Sequence, residues 1–101
     1  NSAAMENVTY EAYGPGGIAI LIEALTDNRN KAAQEIKAIL AKHETELAAP
    51  GSAAWAFTKG PEGLVPNMTM PLEDADIEKL QALVEALEEN DEVQDVYTNA
   101  E

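Results

Sequence analysis

The feature that most constrains this chain is an apolar run, Ile18-Ala19-Ile20-Leu21-Ile22, extended by Glu23-Ala24-Leu25 and preceded by Gly14-Pro15-Gly16-Gly17. β-Branched residues in an unbroken apolar run predict a strand buried on both faces. Pro15 fixes φ and lacks an N–H, and the flanking glycines permit positive φ, so the chain turns at Gly14–Gly17. Upstream, Val8, Tyr10 and Ala12 alternate with Thr9, Glu11 and Tyr13, the period of a half-buried strand. The two strands are expected to pair as an antiparallel hairpin.

Thr26, Asp27 and Asn28 end the apolar run, and each can accept N–H bonds at a helix start. The spacing predicts a helix over Arg29–His43, with Ala32, Ala33, Ile36, Ile39 and Leu40 inward. Pro50-Gly51 punctuates the following loop. Ala53–Phe57 reads as a third strand with Trp55 in the core, and Lys59–Gly63 as a second turn. Leu64–Leu72, interrupted by Pro66 and Pro71, is expected at an edge or as a crossing segment. A second helix opens at Glu73–Asp76 and carries the stripe Ile77, Leu80, Leu83, Val84 and Leu87. Val93–Thr98 forms the last strand, and Asn99–Glu101 is expected to fray.

The order β-β-α-β-(β)-α-β, with one apolar stripe per helix, predicts an α+β fold. It takes the form of a two-layer α/β sandwich, a mostly antiparallel sheet with two helices on one face. The 101 residues suit a single domain, 1–101, with Asn1–Ala4 read as linker.

Charge bears on function. The chain carries 19 acidic and 6 basic residues, a net charge of −13. Such a field repels phosphate backbones, which argues against autonomous nucleic-acid binding. The local exception is Arg29, Lys31, Lys37 and Lys42, four of the six basic residues within one predicted helix. The absence of cysteine excludes disulfides, thiolate metal sites and cysteine nucleophiles. No apolar run reaches the roughly 20 residues of a membrane span, and no signal peptide is visible. The protein is therefore read as cytoplasmic, without a membrane partner.

Few motifs offer chemistry. Gly14, Gly16 and Gly17 form either a plain turn or an anion-binding nest of N–H groups; the run matches neither the P-loop nor the dinucleotide fingerprint. Thr26, Asp27 and Asn28 serve as helix caps, with Arg29 beside them as a possible anion contact. His43, the one histidine, has no serine near it in sequence. The acidic residues between Glu73 and Glu92 miss the spacing of a calcium loop and read as a solvated helix face. No pair or triad suggests catalysis, so a non-enzyme with no cofactor and no metal is expected. A small-molecule site at the glycine turn is the weaker alternative.

Tyr10-Glu11-Ala12-Tyr13-Gly14-Pro15-Gly16-Gly17, then Thr26-Asp27-Asn28-Arg29-Asn30, Gly51–Phe57, Val65-Pro66-Asn67 and Val93–Asn99 together resemble the YebC/PmpR family. The likeness covers nearly the whole chain. It departs from the family in lacking a basic helical N-terminal domain and a further α/β domain, whose place Lys59–Gly63 bridges. Ala12 stands where the family usually has glycine, and Glu44-Thr45-Glu46 where it usually has a glycine pair. The resemblance implies a transcriptional regulator or ribosome-associated translation factor, with RNA, DNA or the ribosome as partner. Arg29, Lys31, Lys37 and Lys42 would then contact phosphate, with the Gly14–Gly17 turn beside them. The alternative is a protein-interaction or assembly module that self-associates through an edge strand.

Overall fold

The computed structural model describes residues 4–49, 51–61 and 63–100. The elements are β1 (Glu6–Tyr13), β2 (Ala19–Thr26), α1 (Arg29–Lys42), β3 (Phe57–Gly60), β4 (Gly63–Pro66), α2 (Asp74–Glu88) and β5 (Val93–Thr98). Short 3₁₀ turns occupy Pro15–Gly17 and Ala54–Ala56.

β2 is the central strand of an antiparallel sheet ordered β1-β2-β5. Its alternating residues supply two separate cores. Ile20, Ile22 and Ala24 point toward the helices and meet Ile36 and Leu40 of α1 and Leu80, Leu83 and Leu87 of α2. Ala19 and Leu21 point the other way and meet Ala53, Ala56 and Phe57. This is the strand buried on both faces that an apolar run dictates. A register shift opposite Glu23/Ala24 lets Val93 and Val96, three residues apart, both join the helical side.

The α+β architecture, with two helices on one sheet face and antiparallel pairing between all its named strands, is as the sequence indicates. The further strands take a different place. β3 and β4 pair with each other in a separate two-stranded sheet that covers the opposite face of β2. Lys59, Gly60 and Gly63 belong to these strands rather than to the turn. Glu62, within that predicted turn, lies outside the described residues, as do Asn1–Ala3 of the predicted linker.

Two expectations are corrected. Ala53–Phe57 is not a strand: Ala54–Ala56 is a 3₁₀ turn, and β3 begins at Phe57. Ala53 and Ala56, three residues apart, are both buried, whereas Trp55 is 68% exposed. Three residues per turn put the two alanines on one side and the indole outside, the reverse of the core position expected of Trp55. The chain end is not frayed as far as Ala100. Asn99 is buried, its Oδ1 accepts the Ala19 N–H at 2.8 Å, and Met70 and Ala100 form a parallel bridge. Glu101 lies outside the described residues.

Candidate nucleic-acid interface

α1 is the one element that concentrates basic side chains, and its ends are fixed by different chemistry. At the N-terminus Asn28 is the cap, its Oδ1 accepting the Lys31 N–H at 3.1 Å. Thr26 is fully buried; its hydroxyl accepts the Asn28 N–H at 2.9 Å and donates to Glu92 Oε2 at 2.6 Å. Asp27 is exposed and makes neither bond. Of the three predicted caps, one caps the helix, one anchors the preceding turn, and one faces water.

Beside that cap lies a charged cluster. Lys31 Nζ is 3.5 Å from Glu35 Oε2 and 3.8 Å from Glu92 Oε1. Glu35 first and Glu92 second raise the Lys31 pKa above the usual lysine value. Asn90 donates to Glu35 Oε1 at 2.9 Å, and this bond, with Lys31, outweighs desolvation to hold the Glu35 carboxyl below the ordinary range. Glu92 Oε1 is buried without a hydrogen bond among the described residues, so Lys31 supplies its compensating charge. Tyr10 donates to the Arg29 carbonyl at 3.3 Å. Burial, more than the opposing Arg29 charge, pushes its phenol pKa up.

The four basic residues therefore differ. Lys31 is held by two carboxylates, while Arg29, Lys37 and Lys42 form no ion pair among the described residues. Nor do they share one patch. At 3.6 residues per turn, Lys31 and Lys42 lie about 20° apart around the axis, and Lys37 about 120° from Lys31. Packing of the helices adds a residue that sequence reasoning missed: Lys79 of α2 lines a groove of about 240 Å³ with Lys42, His43, Glu44 and Ala82. The one sequence signal for it is its position in α2 one residue before Leu80 of the apolar stripe, which says nothing about Lys42.

The glycine turn borders the same region. With Pro15, Gly14 and Gly16 it lines a cleft of about 280 Å³ that also includes Tyr13, His43, Glu44, Thr45, Asp76 and Lys79. Its hydrogen bonding is internal: Gly14 N–H donates to Ile18 O at 2.9 Å and Gly17 N–H to Gly14 O at 3.0 Å. Pro15 has no N–H, so successive free donors, the requirement of an anion nest, are not present at Gly14, Gly16 and Gly17. A Cβ on Gly16 would lie 2.5 Å from Leu72 Cδ2 and 3.5 Å from Asp76 Oδ2, so the turn packs against the approach to α2 and faces a carboxylate. In the fold these residues form the connection between β1 and β2.

Glu11 also escaped sequence reasoning. Its carboxylate accepts N–H bonds from Gly51 and Ala53 at 2.7 Å and from Ala54 at 2.9 Å. Burial pushes its pKa up, but the three bonds together outweigh burial and hold it below the usual carboxylate range. No group of three or more His, Asp or Glu side chains among the described residues is placed to hold a metal ion. No helix among them is long and apolar enough to cross a membrane.

Fold and surface together define a small α+β domain with a basic helix set in an acidic body. The TACO1/YebC second and third domain model matches residues 5–61 and 62–100, and the chain belongs to that family. A probable transcriptional regulatory protein of Mycobacterium sp. (strain KMS) is 31% identical over 156 residues, covering 95% of this chain and 62% of that protein. A protein of the same description from Dictyoglomus turgidum is 39% identical over 99 residues, covering 97% of this chain and 40% of that one. The chain thus spans about 40–62% of the length of these curated relatives. A crystal structure of a conserved hypothetical protein from Aquifex aeolicus has the same fold, with TM-score 0.89 at 24% identity over the whole of this chain and 67% of that one. The two matched segments meet between residues 61 and 62, within Lys59–Gly63. The Mycobacterium alignment runs to 156 residues against a chain of 101, so that relative carries residues with no counterpart here.

Proposed function

We propose that the chain is a non-enzymatic, cytoplasmic regulator of gene expression that acts on nucleic acid or the ribosome as part of a larger architecture. Membership in a family whose curated relatives are described as probable transcriptional regulatory proteins carries this reading. The α1 cations that form no ion pair among the described residues support it. Arg29, Lys37 and Lys42, joined by Lys79, are the side chains available to phosphate, while Lys31 serves chiefly to neutralise Glu35 and Glu92. On this reading Lys59–Gly63 bridges the place of further residues in the relatives, and with a net charge of −13 this domain adds a weak contact rather than an autonomous one.

The test is binding of the 101-residue protein to RNA, duplex DNA and purified ribosomes across a salt series. Weak binding that falls steeply with salt is expected. Lys37→Glu and Lys42→Glu should weaken it severalfold, and Lys31→Glu should mainly lower stability. Salt-insensitive binding, or equal binding by the Lys37 and Lys42 variants, defeats the proposal.

The second reading, an assembly module, is favoured by one observation: large apolar side chains remain exposed around Trp55.

A further inference from the structure

Glu92 lies in the turn between α2 and β5, and hydrogen bonds to three elements fix it there. Its N–H donates to Asn90 Oδ1 at 2.9 Å, its carbonyl accepts the Leu25 N–H of β2 at 2.8 Å, and its Oε2 accepts the Thr26 hydroxyl at 2.6 Å. The carboxylate is thus held in place, and its side chain is only 12% exposed. Its other oxygen, Oε1, is buried without a hydrogen bond among the described residues and lies 3.8 Å from Lys31 Nζ. Asn90 aligns a second carboxylate with its other end: its Nδ2 donates to Glu35 Oε1 at 2.9 Å, and Glu35 Oε2 lies 3.5 Å from the same Lys31 Nζ. One asparagine therefore sets two carboxylates on one ammonium. The ammonium itself belongs to a side chain that is 56% exposed, so solutes reach it although its fixed partner is buried.

Resting on the reading that α1 meets phosphate, we infer that Glu92 and Glu35 form an autoinhibitory clamp that withholds Lys31 from nucleic acid. Lys31 shares a side of α1 with Lys42, about 16 Å along the axis at 1.5 Å per residue, so a strand lying against Lys42 on that side passes Lys31. A phosphate that draws Lys31 away leaves Glu92 buried without its compensating charge. Stranding a buried charge costs more than an exposed ion pair returns. Lys31 therefore stays with its carboxylates, and the other cations of α1 carry the contact. Whatever neutralises Glu92, or moves the α2–β5 turn away from α1, frees Lys31 and adds a phosphate contact. Because Asn90 and Glu92 both sit in that turn, its position relative to α1 governs how many cations the helix offers.

Binding of an oligouridylate to the full chain across a salt series counts these contacts. Each phosphate neutralised on a single strand adds about 0.7 to the slope of log affinity against log salt. Glu92→Gln, which keeps an acceptor for Thr26, should raise affinity severalfold at low salt and steepen the slope by about 0.7. Lys31→Gln should erase that gain in the Glu92→Gln background and leave the slope of the parent unchanged. Glu35→Gln keeps an acceptor for Asn90 and should shift affinity and slope in the same direction by less; it carries the test should Glu92→Gln fail to fold. Glu89→Gln removes an equal charge from the exposed end of α2 and should leave the slope alone. A gain that survives removal of Lys31, a slope unchanged in the folded clamp variants, or a shallower slope on Lys31→Gln in the parent overturns the clamp and leaves α1 as a phosphate surface. Absence of binding by the parent and by every variant at low salt overturns both readings.

Discussion

At the residue scale, Glu44 shows how one side chain can oppose an otherwise ideal helix end. Thr45 N–H donates to Leu40 O at 2.9 Å and Glu44 N–H to Ala41 O at 3.1 Å, the paired bonds of a Schellman motif. The motif needs a left-handed residue after the cap, and Glu44 sits there with φ 65°. A side chain in that region costs about 1 kcal/mol that glycine avoids. Glu44→Gly should therefore raise stability by about 1 kcal/mol, partly offset by the freer unfolded chain. That corresponds to a few degrees in Tm by calorimetry. The position was partly legible in sequence, since Glu44-Thr45-Glu46 departs from the glycine pair of the resembled family. The left-handed geometry itself required the fold.

At the element scale, the glycine turn between β1 and β2 was legible as a turn, and its two positive-φ glycines now separate by what surrounds them. Gly16 has φ 74° and its missing Cβ would collide with Leu72 Cδ2; Gly17 has φ 81° and open space. Gly17→Ala should cost about 1 kcal/mol, the backbone penalty alone. Gly16→Ala adds overpacking against a residue seated on the helical core, for a total of about 2–4 kcal/mol. Urea titrations of both variants measure the difference; equal losses would mean that Leu72 yields freely. The 3₁₀ turn at Ala54–Ala56 was not legible, because two alanines carry too little hydrophobic signal to reveal a period of three beside a tryptophan and a phenylalanine.

At the scale of the whole molecule, three layers must be joined, and polar groups do much of the joining. Glu11 on β1 holds the loop that leads into β3 by three N–H bonds, and Asn99 ties the end of β5 to β2. Because the folded pKa of Glu11 is depressed, its contribution is complete above the unfolded carboxylate value of about 4.3 and is lost as pH falls through the folded value. Glu11→Gln should thus be less stable than the parent at pH 7. The two stabilities should converge in acid, because a protonated Glu11 and a glutamine bind the loop alike. Thermal melts between pH 7 and 2 test this; a constant gap across that range refutes the linkage. The sequence by itself determined the hairpin, both helices and the doubly buried β2, because apolar periodicity and turn residues are local signals. The fold alone decided the rest. It set β3 and β4 apart as a second sheet, turned Trp55 outward, made Glu11 and Asn99 the ties between layers, and set Lys79 beside Lys42. Each of these depends on which surfaces meet across the molecule, and no local pattern of residues encodes that meeting.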